Sequence, residues 1–338
     1  MIGLDCGTFN LVCSTRDELT GDFKYKREVN AFLEVPLDDR FTFNMMKNSK
    51  VPLIERKDGK VAYACGEAAV RMAYSMSKLE LKRPMCNGCV NPKEKDSFQI
   101  MSIMMHSLIG NVKRDKELLY YSVPANAINK ETDADYHSKI LEAILKAYKS
   151  KEGFTVDPQP INEALALVYA ELAEKNYTGI GISCGAGMVN VCFAMFGSPV
   201  FSFAIVNSGD WIDAMSAKAT GETIAYINKQ KTKIDLKAPP TNLVERAIQT
   251  QYKLMIDHTV AEIKKGLNGL EDNVRIEDPV DFVVAGGTSS PNGFVELFKE
   301  GLKEAQLSIP YGDIIRPSEP LYSVAKGCLI AAEAATKS

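Results

Sequence analysis

The sequence predicts an α/β protein made of two similar domains that face each other across a cleft. Three observations carry this reading. The chain has 338 residues, enough for about two domains of ordinary size. Apolar stretches of strand length alternate with longer stretches of helical spacing along the chain. The pattern also duplicates: strand, Gly-containing turn and strand open each half, at residues 1–14 and again at 179–195. Each half later supplies a further strand and helices. Two such halves set face to face would bring both hairpin turns to the cleft.

The elements follow in order. Residues 1–14 read as strand, tight turn and strand, the turn being Asp5-Cys6-Gly7-Thr8. A second strand-rich stretch passes through Phe32, Val51-Pro52-Leu53-Ile54 and residues 61–64. Cys65-Gly66 stops it, and residues 67–76 read as a helix. Residues 98–109 form an apolar helix covered on more than one face. Residues 118–123 read as a buried strand ended by Pro124. Helix-start residues at 129–132 precede a helix through Ile140, Leu141, Ile144 and Leu145. Residues 153–160 are a short strand and turn, and Asn162 is placed to cap a helix over 163–175. After the second hairpin comes a third strand at 199–206. Then follow a helix over 210–228, a polar loop over 229–240 and a long helix over 241–267. A strand at 281–285 runs into Gly286-Gly287. Helices at 294–304 and 322–335 end the chain.

Composition narrows the function. Apolar residues make up 46% and charged residues 25%, as in ordinary soluble globular proteins. The core can be large enough to fold without a disulfide or metal staple. A net charge of −3 supplies no global basic field, so direct nucleic-acid binding is not predicted. A local basic patch around Lys146, Lys149 and Lys151 is the one candidate for it. Of eight cysteines, Cys13, Cys184, Cys192 and Cys328 sit in apolar runs and read as buried, reduced thiols. Cys86-Asn87-Gly88-Cys89 has no second pair at ligand spacing, and only Cys65 or His106 could join it in a metal site. The chain opens directly in a strand, without a charged segment followed by an apolar one. No apolar run approaches the roughly 20 residues that span a bilayer. A cytoplasmic location is expected. A short apolar loop could still touch a membrane, but no amphipathic N-terminal helix is present.

The turns carry the chemistry. A hairpin turn with exposed backbone N–H groups is a concave anion site, and glycine allows close approach and positive φ. Gly7 and Thr8 can donate to phosphate oxygens. Asp5 can hold water molecules of a Mg²⁺ ion bridging the phosphates. Gly185-Ala186-Gly187 offers the same device from the second half. Gly286-Gly287-Thr288-Ser289 follows a buried strand and lets a purine or ribose lie against the backbone. Each turn is a weak signal alone, and three in this order, all after strands, are a stronger one.

At this point the sequence resembles the actin superfamily, and the bacterial actins of the MreB and MamK kind in particular, over nearly its whole length. Asp5-Cys6-Gly7-Thr8-Phe9-Asn10 resembles the first phosphate motif. Tyr63-Ala64-Cys65-Gly66-Glu67-Ala68-Ala69 resembles a segment of the small outer subdomain. Residues 83–90, Arg-Pro-Met-Cys-Asn-Gly-Cys-Val, resemble a bacterial-actin stretch, which gives the paired cysteines a plain structural role. Ser122-Val123-Pro124-Ala125 looks like a shared strand end. Asn162-Glu163-Ala164-Leu165-Ala166 is similar to the first connecting helix, where the family places a Glu or Gln that orients attacking water. Gly209-Asp210-Trp211-Ile212-Asp213 resembles the segment after the second phosphate loop. Ala285-Gly286-Gly287-Thr288-Ser289 looks like the adenosine motif, and Ala325-Lys326-Gly327-Cys328 like the second connecting helix.

The resemblance implies ATP or ADP with Mg²⁺ in the cleft, Glu163 and Asp5 as the catalytic groups, and self-association into filaments, with an adaptor protein as a further partner. It implies a first core subdomain of residues 1–30, 78–150 and 318–338 and a small outer subdomain of 31–77. The second core subdomain would be 151–215 and 275–317, and a shortened second outer subdomain 216–274. The sequence departs from the family in its second phosphate motif. Ser183 stands where an Asp is usual, Met188 and Val189 where Thr is usual, and Asn190 near an Asp, Glu or Gln. Ser183 can bond a water but brings no charge. Losing one preorganised charge can cost on the order of 10²-fold in rate, so binding is expected to outlast hydrolysis. The family's ribose-contacting pair is unclear, with Gln249-Thr250-Gln251 the nearest candidate. A filament-forming protein, a chaperone-like nucleotide switch and a small-molecule kinase are the three functions to weigh. The chain ends soon after its last helix, without the linker and substrate domain a chaperone needs, and no kinase acid is evident.

Overall fold

The computed structural model describes residues 1–48, 53–56, 58–75, 80–270, 276 and 278–336. The first part of the chain winds β1 (Ile2–Cys6), β2 (Asn10–Arg16) and β3 (Phe23–Val29) into an antiparallel meander. It then leaves for a small sheet of β4 (Phe32–Pro36), β5 (Leu53–Glu55) and β6 (Val61–Cys65), flanked by α1 (Arg40–Asn48) and α2 (Gly66–Ser75). A two-residue hairpin follows, β7 (Met85–Cys86) and β8 (Cys89–Val90). Next come α3 (Ser97–Ile109), β9 (Glu117–Val123), α4 (Ala134–Lys146) and β10 (Val156–Asn162). β9 joins β1 in parallel and β10 joins β9, giving the order β10-β9-β1-β2-β3.

The second part repeats this plan. After α5 (Glu163–Glu171) come β11 (Gly179–Cys184), β12 (Val189–Met195) and β13 (Ser198–Ile205), again an antiparallel meander. Three helices follow, α6 (Gly209–Thr220), α7 (Ile224–Lys231) and α8 (Leu243–Asn268). Then β14 (Val280–Ala285), α9 (Phe294–Ala305), β15 (Tyr311–Ile315) and α10 (Ser323–Ala335) complete the chain. The sheet order is β13-β12-β11-β14-β15, the same topology as the first. Every residue of β11 and β14 is buried, as expected of strands covered on both faces. Pro158 and Pro160 lie in β10, which is an edge strand and so tolerates missing donors.

Two helices tie the sheets together by exchanging sides. α5 leaves the first sheet and packs on β11 and β12, while α10 leaves the second and packs on β1, β9 and β2. Glycines permit this closeness. A Cβ on Gly3 would lie 2.2 Å from the Ala325 carbonyl oxygen, and one on Gly181 2.2 Å from that of Ala164. Where the helices cross, a Cβ on Gly327 would lie 1.8 Å from the Ala166 oxygen.

Several elements differ from the sequence reading. α4 is capped by Asp133, whose side chain accepts from the Tyr136 N–H, rather than by residues 129–132. Asn129 and Thr132 instead hold backbone N–H groups of Val206 and Ala127. The helix expected over 210–228 breaks at Gly221, which sits at φ 76°, and α7 runs on into the predicted loop. β3, α1 and β15 were not predicted. Val51, Pro52 and Met76 lie outside the described residues, as do the subdomain limits at 77, 274, 275 and 338. Among the described residues, no helix is long and apolar enough to cross a membrane.

Candidate functional site

Both hairpins end in equivalent turns. Cys6 faces Leu11 across β1 and β2, and Cys184 faces Val189 across β11 and β12, so residues 7–10 and 185–188 correspond. Asp5 and Ser183 then occupy matching positions. The two tips meet: a Cβ on Gly187 would lie 2.5 Å from Thr8 Oγ1 and 2.4 Å from the Gly88 nitrogen. Only glycine allows that approach. Gly88 belongs to the turn between Cys86 and Cys89, where Asn87 (φ 45°) and Gly88 (φ 75°) both take positive φ. Beside the tips opens a cavity of about 390 Å³ lined by both turns, Asp5, Glu163 and the Gly286 turn.

The same device aims the backbone donors at each turn. In a trans peptide the N–H points away from the preceding carbonyl. The Gly7 carbonyl is held by Asn30 Nδ2 at 3.0 Å, which turns the Thr8 N–H the other way. The Gly185 carbonyl accepts from Thr288 Oγ1 at 2.7 Å, from the Gly209 N–H at 3.2 Å and from Ser208 Oγ. The Ala186 carbonyl accepts the Asp210 N–H at 2.8 Å. Among the described residues, no acceptor meets the N–H groups of Thr8, Ala186 and Gly187. These three are donors ready for an anion.

Two carboxylates form the floor. Asp5 accepts from Ser122 Oγ at 2.9 Å, and that oxygen in turn accepts the Cys6 N–H at 2.9 Å. Glu163 is the first residue of α5, behind the Asn162 cap, whose side chain accepts the Ala164 and Leu165 N–H groups at 3.0 Å each. Ser183 Oγ donates to Glu163 Oε1 at 2.6 Å and Asn190 Nδ2 to Oε2 at 3.0 Å. Ser183 therefore spends its one donor on Glu163, and its oxygen remains an acceptor. Burial pushes both carboxyls above the usual carboxylate range. The Asp5 charge raises Glu163 further, and the serine hydroxyls oppose the shift in each.

Most of the sequence-predicted residues converge here. Gly7, Thr8, Phe9, Asn10, Ser183, Gly185, Ala186, Gly187, Asp210, Gly286, Gly287 and Thr288 all line the cavity. Gly209 and Ser289 stand behind its wall. The first bonds the Gly185 carbonyl, and the second is buried with its hydroxyl on the Gly286 carbonyl at 2.8 Å. The Thr288 hydroxyl serves the second turn, and the Asp210 carboxylate pairs with Arg83 at 2.9 Å. Gln249 does not reach the cavity. Its amide donates to the Asp235 and Ala238 carbonyls, and Thr250 Oγ1 donates to the Arg246 carbonyl of its own helix. The wall there comes from Asn228, Lys231, Thr232 and Tyr252, none singled out by sequence. Lys231 Nζ lies 2.8 Å from both Asp213 Oδ2 and the Gly209 carbonyl. Burial pushes Asp213 up and Lys231 pulls it back. In sequence, Lys231 stands between Lys229 and Lys233, and only its helical spacing from Asn228 sets it apart.

Comparison with known proteins agrees with this architecture. The MamK double helical filament superposes with a TM-score of 0.71 at 16% identity, covering 98% of each chain. MreB5 of Spiroplasma citri bound to AMPPNP gives 0.66 at 14% identity, over 99% of this chain and 96% of that one. The ethanolamine utilization protein EutJ from Carboxydothermus hydrogenoformans gives 0.52 at 14% identity, over 97% and 88%. At such identities the likeness is one of fold, and that fold is actin-like. No curated protein matches the chain. The Volactin family profile matches residues 1–332, nearly the entire sequence, and the chain belongs to the Volactin family.

Proposed function

We propose that this protein is an ATP-binding cytoskeletal protein of the actin-like kind, which assembles filaments when nucleotide closes its cleft and hydrolyses ATP slowly. One observation carries the reading: two matching turns present the unpaired N–H groups of Thr8, Ala186 and Gly187 beside one cavity, above the Asp5 and Glu163 carboxylates. The donors suit phosphate oxygens. The cavity is also lined by Gly286 and Gly287, the second with open space where a side chain would stand, and by Asn228 and Lys231, and a flat base would lie there. Neighbours of the same fold support it, one solved as a filament and another with AMPPNP.

The residues also fit Mg²⁺. Asp5 is a half-buried carboxylate whose ionisation is opposed by its surroundings, and a hard cation would relieve that cost. Asp5 would hold it through water, and the ion would supply charge neutralisation for the phosphates. Glu163 would accept a hydrogen bond from the attacking water. No charged group stands at Ser183 to assist, which is why turnover is proposed to be slow. Head-to-tail stacking of closed molecules needs only one repeated contact.

Negative-stain microscopy with ATP, with ADP and without nucleotide tests assembly, and phosphate release tests turnover. Filaments only with nucleotide, and turnover on the order of 10²-fold below ordinary bacterial actins, are the expected results. Monomers in all three conditions would favour a nucleotide switch acting on a partner. Turnover equal to that of ordinary bacterial actins would sink the slow-hydrolysis part.

A further inference from the structure

Glu163 has both carboxylate oxygens engaged without any ligand. Its two donors, Ser183 and Asn190, are 2% and 1% exposed. Asn190 has no freedom of orientation. Its Oδ1 accepts the Ala125 N–H at 3.0 Å, so its NH₂ must face Glu163. One buried side chain of β12 thus joins the loop after β9 to the first residue of α5. Ser183 and Asn190 face each other across β11 and β12, so the two donors are held by strand register. A carboxylate at position 183 would repel Glu163, whereas the hydroxyl binds it. Each carboxylate oxygen keeps room for a second donor, which can be a water in the cavity.

We propose that Ser183 and Asn190 are positioning residues for ATP hydrolysis, a two-donor clamp that fixes Glu163 in the conformer able to receive a hydrogen bond from the attacking water. This rests on the nucleotide reading above. In the step concerned, the water oxygen bonds the γ-phosphorus as the bridging P–O bond breaks. ADP leaves with the bonding pair, and the water proton passes to the released phosphate. Glu163 orients the water, and the clamp orients Glu163. A misplacement of about 1 Å at such a group costs on the order of 10²-fold.

The test measures binding of a fluorescent ATP analogue and single-turnover phosphate release in the full chain. Asn190→Ala is expected to slow release about tenfold or more while affinity changes less than about threefold. Ser183→Ala, which leaves the Ala125 contact intact, is expected to act in the same direction. In a Glu163→Ala background neither substitution should slow release further, because both act through that side chain. Release within about twofold of wild type in both single variants would overturn the proposal. So would an equal further loss in the Glu163→Ala background, which marks a merely structural role. Wild-type protein that binds the analogue without turnover would overturn it as well. Wild-type protein that fails to bind would remove the nucleotide reading itself, and the affinity arm tells these failures apart.

Discussion

Glu163 is under opposed demands. Burial and the neighbouring Asp5 charge disfavour its ionised form, while the Ser183 and Asn190 donors favour it. The net shift is upward, so between the unfolded and folded pKa values the unfolded chain binds fewer protons than the native one. Stability is then fully present below the unfolded value, near 4, and is lost as pH rises through the folded one. Glu163→Gln removes this loss. Its amide can still be satisfied, since the Ser183 hydroxyl can rotate to accept and Asn190 can donate to the amide oxygen. Nucleotide-free Glu163→Gln should therefore melt above wild type at pH 8, by on the order of 1 kcal/mol, with the gain vanishing near pH 4. Melting curves across that range check it, and a gain independent of pH would contradict the assignment. Much of the floor was legible at this scale. Asp5, Gly7, Gly185 and Glu163 announce themselves by residue type and order. The clamp did not, because Ser183 and Asn190 are brought face to face only by the register of β11 and β12. Lys231 was hidden for a related reason: burial, not identity, separates it from the exposed lysines beside it.

At the scale of elements, the fold depends on how closely α5 and α10 cross. Gly327 has no room for a side chain, since a Cβ would sit 1.8 Å from the Ala166 oxygen, an atom of helix backbone that cannot turn aside. Gly327→Val should therefore force the two helices apart and destabilise the protein by about 3 kcal/mol or more. Denaturant unfolding measures this, and a loss below about 1 kcal/mol would show that the crossing has slack. The same scale explains what the sequence hid. The hairpins and the buried β9, β11 and β14 are apolar and easily read. β3 reads Phe-Lys-Tyr-Lys-Arg-Glu-Val, an edge strand whose charges blunt it against pairing with other chains and also disguise it as loop. β15 is likewise an edge, half exposed and interrupted by Gly312 and Asp313. The two halves of the expected helix at 210–228 are separated by the left-handed Gly221 and by the extended Thr223, whose side chain caps α7 by accepting the Tyr226 N–H.

At the scale of the whole molecule, the halves are joined by more than the crossing helices. Arg83 reaches Asp210 across the cleft mouth, and Thr8 meets Gly187 at the turn tips. The segment after β9 adds to the open edge of the second sheet. The Ala204 N–H donates to the Asn126 carbonyl at 3.2 Å and the Ile128 N–H to the Ala204 carbonyl at 2.9 Å, with Ala127 and Ala204 in parallel register. The Asn129 side chain extends this pairing by accepting the Val206 N–H at 3.0 Å. Under the proposed closure on nucleotide, the halves would keep or break this join as they move, and its strength would limit how far the cleft opens. Ile128→Pro isolates the effect. It removes the donor to Ala204, while the Ile128 side chain is 51% exposed and contributes little packing. Losing one such bond, worth about 0.5–1.5 kcal/mol, should speed hydrogen exchange at Ala204 by roughly 2–10-fold. Without nucleotide the variant should also scatter as a more open particle than wild type, and ATP should narrow the difference by binding the closed form. Unchanged exchange at Ala204 would mean that the strand join carries no load and that the other contacts between the halves set the opening.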